Sequence, residues 1–340
     1  MRKLKELKYW KRGQDFLGVK YPIISGAMTW ISDAKLVKAV SDAGGMGVLA
    51  AGNMPADLLE KEINLLKEAG ANYAVNLITL APMYREHIEI AVRLKAPFIV
   101  FAGSFPRKEE LRRAGAAGAK TICFASTESI AQRMIDYGAD ALVLEGSEAG
   151  GHIGHVSTTV LIQQVLFNFP DIPIFVAGGI ASGKMIAHLF LMGAAGVQMG
   201  TIFAMAEESP AHPRFKERFK KARSREAFAT PQYDSSLPIV AVRALKNKGT
   251  GDFGKLQLEL LKKLKNNELT RIEAQFEAEK YWAGALRKAV QDGDIEHGSL
   301  MSGQSVGLVN EIKSVKKIMT DLLNEAEQEV AVAAALLCGS

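Results

Sequence analysis

The chain has 340 residues, of which 48% are hydrophobic and 23% charged, and its formal net charge at pH 7 is +5. A chain of this length forms one large domain or a domain with a smaller addition. Its lysines and arginines are spread among acids, which argues against a nucleic-acid partner, and no apolar stretch is long and uninterrupted enough to cross a membrane. Its two cysteines form neither a disulfide framework nor a CxxC pattern, so we expect a cytoplasmic protein.

Residues 1–17 form a basic N-terminal extension that lacks the continuous apolar segment of a signal peptide. Eight apolar runs then alternate with segments of helical periodicity, and we interpret these runs as strands: one beginning at Tyr21, then 47–51, 73–77, 97–101, 120–124, 141–145, 173–177 and 196–199. Strands that alternate with helices imply parallel βαβ units. Eight such units in about 200 residues predict an α/β fold, a (β/α)8 TIM barrel over 18–210, with a doubly wound open sheet as the alternative.

Residues 45–50, Gly-Met-Gly-Val-Leu-Ala, match the GxGxxA pattern of dinucleotide-binding folds. That pattern has to follow a strand and open a helix, whereas here a helical segment precedes it and a strand follows. We therefore interpret these glycines as the end of a helix.

The last two predicted strands both end in glycine-bearing turns, Gly178-Gly179 after the seventh and Gly200-Thr201 after the eighth. In a barrel, the carboxyl ends of all strands face the mouth where active sites lie. The loops after strands seven and eight often bind phosphate through backbone N–H groups. These turns therefore predict a phosphorylated cofactor or substrate.

A glycine-rich segment, 144–155, begins at the end of the sixth predicted strand and carries an imidazole, His152, among its glycines. Glycines let the backbone approach a ligand closely, and an imidazole suits proton transfer or carbonyl polarisation near neutral pH. His155 lies three residues further on, but no cluster of Cys, His or acidic residues accompanies the pair. We predict no metal site.

The character of the chain changes after the eighth strand. Helical patterns over 255–265 and 272–290 predict a helical cap domain spanning 211–292, inserted before the C-terminal segment. Residues 293–340 then comprise a loop rich in small residues and a terminal helix over 311–329 that returns to the barrel.

The chain resembles the superfamily of FMN-dependent nitronate monooxygenases (2-nitropropane dioxygenases) and enoyl-acyl-carrier-protein reductases II, from Gly18 to about Leu322. The strongest element is Glu-Gly-Ser-Glu-Ala-Gly-Gly-His-Ile-Gly at 145–154. Shorter supporting matches lie at 22–28, 75–76, 177–180, 198–201 and 298–304.

The resemblance implies FMN at the barrel mouth, with its phosphate on Gly178, Gly179, Gly200 and Thr201. His152 matches the catalytic histidine of the family, and Met301 and Gln304 lie near the substrate or cofactor. The remaining implied cofactor-binding residues are Ala27, Met28, Asn76, Glu145, Gly150, Gly151, Gln198 and Met199.

Two activities within the superfamily remain open. Ile153 stands where many monooxygenases carry Arg, and residues 293–304 resemble the reductases, which favours a reductase. In that mechanism NAD(P)H reduces FMN, and hydride passes to the β-carbon of a trans-2-enoyl thioester while His152 polarises the carbonyl or helps to protonate the α-carbon. The alternative is a monooxygenase that oxidises alkyl nitronates with O2, in which His152 orients the nitro group.

A reductase of this kind takes an acyl-thioester or other small-molecule substrate. Acyl carrier proteins are acidic, so a basic helix face is a candidate docking surface, the alternative being an ordinary solvated face: Arg214, Lys216, Arg218, Lys220 and Lys221. A homodimer is the expected assembly.

Overall fold

The computed structural model describes residues 8–338. Eight parallel strands close into a barrel in chain order, and the first pairs with the last, Ile24 lying opposite Gln198. The strands are β1 (Ile23–Ser25), β2 (Met46–Ala50), β3 (Tyr73–Ile78), β4 (Phe98–Ala102), β5 (Lys120–Ala125), β6 (Ala141–Glu145), the short β7 (Gly151–His152) outside the barrel, β8 (Ile174–Ala177) and β9 (Gly196–Met199). The closed sheet confirms the predicted (β/α)8 barrel and excludes the doubly wound alternative.

Helices cover the outside of the sheet: α1 (Lys8–Leu17), α2 (Ala34–Asp42), α3 (Ala56–Glu68), α4 (Tyr84–Arg93), α5 (Lys108–Ala116), α6 (Glu128–Tyr137), α7 (Thr158–Leu161) with a π-helical turn (Ile162–Leu166), α8 (Gly183–Leu191) and α9 (Thr201–Ala204). Helix α6 shows how the local sequence sets their ends. The Thr127 side chain accepts a hydrogen bond from the backbone N–H of Ile130, and Gly138 ends the helix with a φ of 91°. Side-chain capping and a left-handed glycine therefore determine both ends.

The barrel strands are buried on both faces, which explains why they form continuous apolar runs in the sequence. Along β6, Val143 packs in the interior of the barrel with Val48 and Phe175. Its neighbours Leu142 and Leu144 pack on the outside, between the sheet and the helices. The period-two alternation of a strand thus divides one apolar run between two cores.

Helix α1 closes the N-terminal end of the barrel. Phe16 belongs to the interior cluster, and its carbonyl accepts a hydrogen bond from Nζ of Lys120, the first residue of β5. At Gly13 the helix approaches so closely that a Cβ atom would lie 1.8 Å from the carbonyl oxygen of Ala195. Of the predicted extension, residues 8–17 therefore pack against the barrel, and residues 1–7 lie outside the described part of the chain.

The segment after the barrel forms the cap. It contains α10 (Pro213–Lys220), β10 (Ala227–Ala229), β11 (Val242–Leu245), α11 (Lys248–Lys265) and α12 (Arg271–Arg287) with a π-helical turn (Lys288–Asp292). The helices agree with the predicted helical segments, and Phe253, Leu260 and Trp282 form a core between them. The structure adds an antiparallel sheet in the order β10-β11-β7, which was not predicted because its strands are too short to show a period.

One residue of the predicted basic docking face is not exposed. Lys216 is 7% exposed, and its Nζ donates to the carbonyls of Ala206 (2.6 Å) and Ser209 (2.8 Å). Burial lowers the pKa of this lysine. The prediction that Lys216 lies on the docking face was wrong, because its ammonium satisfies carbonyl groups left unpaired in the segment after α9.

The C-terminal helix α13 (Val315–Cys338) returns to the barrel and packs against α8. Its Glu325 carboxylate accepts a hydrogen bond from the backbone N–H of Gly183, at 2.8 Å, where α8 begins. The predicted terminal helix therefore forms, shifted toward the C-terminus. Among residues 8–338, no helix is both long and apolar enough to cross a membrane.

Candidate active site

A cavity of about 640 Å³ opens at the C-terminal ends of the barrel strands, beneath α12 of the cap. This volume falls in the range of small-molecule sites, about 300–1,000 Å³. Asn76, Glu145 and Met199 line it from the ends of β3, β6 and β9, and Trp282 and Leu286 line it from α12. TIM barrels carry their active sites at this end, so the cavity is the candidate active site.

All but one of the residues predicted for the site lie in the cavity wall: Ala27, Met28, Asn76, Glu145, Gly150, Gly151, His152, Gly178, Gly179, Gln198, Met199, Gly200, Thr201 and Met301. The exception is Gln304, whose backbone N–H donates to the carbonyl of Glu148 at 3.0 Å. Its neighbours Ser302, Gly303 and Ser305 line the cavity instead. Gln304 starts a 3-10 turn (Gln304–Leu308), and this turn presents other residues of the loop to the cavity.

Bare backbone forms one side of the cavity at the ends of β8 and β9. Gly178 and Gly179 have φ angles of +96° and +73°, which side chains rarely allow. A Cβ atom at Gly178 would lie 3.0 Å from the carbonyl oxygen of Gly146. Thr201 Oγ1 accepts a hydrogen bond from the backbone N–H of Gly303 at 3.1 Å, which fixes the end of β9 to the loop after the cap.

His152 is held by the cap through both its backbone and its side chain. Its strand, β7, pairs with β11, where Val242 lies opposite His152. Its Nε2 lies 3.1 Å from Oε1 of Glu279 on α12. The two side chains are 38% and 24% exposed, so the pair is shielded by the cap but open to the cavity.

Two carboxyl groups, those of Glu145 and Glu279, affect the protonation of His152. Burial raises the pKa of Glu145 to about 8, although a positive charge on His152 opposes that rise. For His152, burial alone would lower the pKa, but the hydrogen bond to Glu279 and the charges of Glu279 and Glu145 outweigh it, and the net pKa is raised. At neutral pH the site therefore favours a neutral Glu145, and the contact with Glu279 shifts His152 toward its protonated form.

Arg243 on β11 fixes the glycine-rich segment that carries His152. Its Nε and Nη2 donate to the carbonyl of Ser147 at 3.1 and 2.9 Å, and its Nη1 donates to the carbonyl of Ala227 at 2.7 Å. The residue is only 9% exposed. A buried guanidinium thus ties the barrel loop to the cap sheet, and removing it would leave carbonyl groups unpaired.

Two buried polar atoms of the cavity-lining residues, Ser302 Oγ and Trp282 Nε1, have no hydrogen-bond partner within residues 8–338. Buried polar groups are nearly always paired, so these atoms suggest a ligand with polar edges. Asn76 and Gln198, whose side chains carry amides, also line the cavity. A planar heteroaromatic ring with a phosphorylated tail, such as FMN, fits this set of donors. The described residues hold no group of His, Cys, Asp and Glu that could bind a metal ion.

Two residues of the site could not be found from the sequence. Glu279 is 127 positions from His152, and it lies in a helix that carries several other glutamates. Arg243 lies in a short cap strand with no motif around it. Only the pairing of the cap with the barrel mouth brings these two side chains to the site.

Comparison with known proteins extends over nearly the whole chain. A family model described as nitronate monooxygenase matches residues 11–82 and 66–325. The solved structure of FabK from Thermotoga maritima is 35% identical, with a TM-score of 0.84, and the match covers 96% of this chain and 98% of that one.

Two relatives are less similar in sequence. A Mycobacterium tuberculosis protein, (3aS,4S,5R,7aS)-5-hydroxy-7a-methyl-1-oxo-octahydro-1H-indene-4-carboxyl-CoA dehydrogenase, is 28% identical over 95% of this chain and 98% of its own. A probable nitronate monooxygenase of Staphylococcus aureus is 26% identical over 92% of this chain and 96% of its own.

These matches confirm the resemblance expected from the motif around His152, because they span the barrel, the cap and the returning segment together. The enzymes of this family are flavin-dependent oxidoreductases, and the cavity at the barrel mouth has a size and donor set suited to such a cofactor. The chain is a flavin-dependent oxidoreductase and belongs to the nitronate monooxygenase family.

Proposed function

We propose that the chain is an FMN-dependent reductase of enoyl thioesters that takes its reducing equivalents from NAD(P)H. The observation that carries this proposal is the 35% identity, over 96% of the chain, with FabK from Thermotoga maritima, an enoyl-acyl-carrier-protein reductase II. The Mycobacterium tuberculosis relative is named for a carboxyl-CoA substrate, which is also a thioester. Two of the relatives thus support the same class of substrate.

In this proposal the glycine turns at the ends of β8 and β9 hold the phosphate of FMN. Backbone N–H groups at Gly178, Gly179, Gly200 and Thr201 would donate to it. The ring and the ribityl chain would contact the rest of the predicted set: Ala27, Met28, Asn76, Glu145, Gly150, Gly151, Gln198 and Met199. FMN held by these residues would supply hydride transfer from NAD(P)H to the β-carbon of the enoyl thioester.

His152 supplies the charge and the proton that complete the reduction. Its imidazolium stabilises the negative charge that develops on the thioester oxygen when the β-carbon gains a hydride. His152 then donates its proton to the α-carbon, so that the C=C bond gains one hydride and one proton in total. Glu145, neutral at pH 7, adds no negative charge that would oppose this step.

An acyl carrier protein is the expected carrier of the enoyl substrate, and α10 offers a surface for it. With Lys216 buried, the exposed or half-buried bases are Arg214, Arg218, Lys220 and Lys221. Arg218 is paired with Glu226 at 2.8 Å, and Lys220 lies 3.9 Å from Glu217, so Arg214 and Lys221 are the stronger candidates. Both line a surface cleft of about 540 Å³ between α10 and residues 293–297. We further propose a cytoplasmic location, which the low cysteine content favours, and a homodimer as the assembly.

Oxidation of alkyl nitronates with O2 is the second candidate function. The match of the family model and the Staphylococcus aureus relative favour it. His152 would then orient the nitro group through the same imidazolium. The two functions would use the same cavity but different substrates, an enoyl thioester or an alkyl nitronate with O2. Activity assays with each substrate therefore distinguish them.

The test uses the purified protein with its bound flavin, identified from its absorbance spectrum. Oxidation of NADH and NADPH is followed with crotonyl thioester, and oxygen uptake is followed separately with propyl-2-nitronate. We expect enoyl-dependent oxidation of NAD(P)H. Nitronate-dependent oxygen uptake without that oxidation would replace the proposal by the second function, and a protein that binds no FMN would overturn both.

A further inference from the structure

The cap helix α12 contributes a carboxylate to the side chain that carries the proposed chemistry. Glu279 Oε1 lies 3.1 Å from His152 Nε2, and both residues line the cavity. Among residues 8–338, no hydrogen bond engages Nδ1 of His152. Nδ1 is therefore the ring nitrogen left for a ligand while the pair with Glu279 is formed.

The surrounding charges leave Glu279 as the direct partner of His152. Glu145 of β6 acts on the ring only through its charge, without a hydrogen bond. Arg243 of β11 is directed to the carbonyls of Ser147 and Ala227. Glu148, in the loop before β7, accepts hydrogen bonds from the backbone N–H and the hydroxyl of Thr158.

We propose that Glu279 is a positioning residue, which fixes the orientation of the His152 ring through Nε2 and keeps the ring protonated so that Nδ1 can donate to the substrate. The inference rests on the proposed function, since it assigns His152 the role of proton donor. Carboxylate–histidine pairs work in this way when the second ring nitrogen faces the reacting group.

The location of the pair gives the cap a part in the chemistry. Glu279 lies one turn before Trp282 on α12, on the face that covers the cavity. The strand of His152 belongs to the cap sheet through β11. Because both partners depend on the cap, the proton donor is complete only when α12 lies over the barrel mouth.

The test compares Glu279→Gln, which keeps a hydrogen-bonding side chain of the same size and removes the charge, with Glu279→Ala, which removes both. Glu277→Gln is the matched control, because Glu277 lies on the same helix and is exposed. Histidine nitrogen shifts of the flavin-bound, 15N-histidine-labelled enzyme report the tautomer and pKa of His152. The signal is assigned by its loss in His152→Ala.

Loss of an opposite charge within about 4–6 Å typically moves a pKa by about 1 unit or more. We therefore expect the pKa of His152 to fall by about that amount in Glu279→Gln and Glu279→Ala and to stay unchanged in Glu277→Gln. The alkaline limb of kcat for crotonyl thioester should move to lower pH by the same amount, which is about a tenfold loss of activity on that limb.

An unchanged pKa and tautomer of His152 in both Glu279 variants would overturn the inference. The 15N chemical shifts of His152 do not depend on turnover, so they test the pairing of His152 with Glu279 even if the enzyme reduces no enoyl thioester. In that case the proposed function fails by itself, and a lowered pKa in Glu279→Gln still supports the pairing. A Glu279→Ala variant that fails to fold leaves Glu279→Gln, which is nearly the same size, to decide.

Discussion

In the proposed mechanism, the chemistry of the site depends on three side chains, Glu145, His152 and Glu279, which come from β6, β7 and α12. His152 was predicted from its place among glycines after a buried strand, because that sequence signal is local. The raised pKa of Glu145 was not predictable, since burial depends on the whole cavity. Glu279 was missed because nothing in the sequence links it to His152 across 127 positions.

Replacing His152 by Ala should slow turnover by a factor of about 100 to 10,000, the usual contribution of a general acid. The flavin should stay bound, because the predicted phosphate-binding turns are at other strand ends. The measurement is kcat together with the absorbance of the bound flavin, and His188→Ala is the control, because His188 is exposed and pairs with Glu329 on the outside of the barrel. Unaltered kinetics in His152→Ala would remove His152 from the mechanism.

Glu145 should make the flavin-free protein less stable as the pH rises. Its pKa is raised from 4.5 to about 8, so between these values the folded protein holds a proton that the unfolded chain has released. The free energy of unfolding then falls with pH, by at most about 1.4 kcal/mol per unit. His152, whose pKa is also raised, adds a slope of the same sign above its ordinary 6.5.

Urea unfolding of Glu145→Gln at several pH values checks this expectation. The variant should lose most of the slope below pH 6.5 and keep a smaller one above it, which belongs to His152. Glu277→Gln, which removes an exposed carboxylate, should keep the full slope. A parent protein whose stability rises steadily over this range would contradict the raised pKa of Glu145.

At the scale of elements, all eight barrel strands were predicted, because fully buried parallel strands form apolar runs between turn signals. The cap was predicted less completely. Helix α11 begins at Lys248, earlier than the apolar periodicity indicated, because Asn247 accepts a hydrogen bond from the N–H of Thr250 and caps it. The strands β10 and β11 exist only through their pairing with each other and with β7.

Helix α1 should be part of the folded barrel, and Gly13→Ala tests its packing. The added methyl group would lie 1.8 Å from the Ala195 carbonyl oxygen, so the helix has to move away. We expect the free energy of unfolding to fall by about 1–3 kcal/mol. Gly115→Ala in α5, with open space around it, should instead raise the stability by about 0.5–1 kcal/mol. Equal effects in the two variants, measured by urea unfolding, would contradict the close packing of α1.

At the scale of the whole molecule, a barrel supplies the cavity and a cap supplies the cover. The barrel could be predicted from the alternation and spacing of strands and helices in the sequence. The position of the cap over the barrel mouth could not, because it depends on tertiary contacts such as that of Arg243 with Ser147. The same limit explains the error at Lys216. A run of basic residues predicts a solvent-exposed helix face, but the sequence does not show that the tertiary structure buries Lys216 against two backbone carbonyl groups.

The docking surface on α10 should affect carrier-bound substrates only. Arg214 and Lys221 line the surface cleft between α10 and residues 293–297, outside the set of residues that line the cavity. The double variant Arg214→Glu with Lys221→Glu should raise KM for an enoyl-acyl-carrier protein about tenfold, since rim charges govern encounter. KM for enoyl-CoA should not change.

Lys61→Glu with Lys67→Glu, on α3, makes the same change of charge elsewhere on the barrel and is the control for that experiment. An equal rise of KM in the two double variants would show a general effect of net charge. It would contradict a docking surface on α10.

An anaerobic half-reaction is the most direct test of the claim that the flavin-bound enzyme reduces enoyl thioesters. The flavin is first reduced by light with EDTA as the electron donor, and crotonyl thioester is then added in the dark without oxygen or NAD(P)H. We predict that the flavin reoxidises as one equivalent of the saturated butyryl thioester forms, and that His152→Ala slows this step. A flavin that stays reduced with crotonyl thioester, in an enzyme that consumes oxygen with propyl-2-nitronate, would contradict the claim.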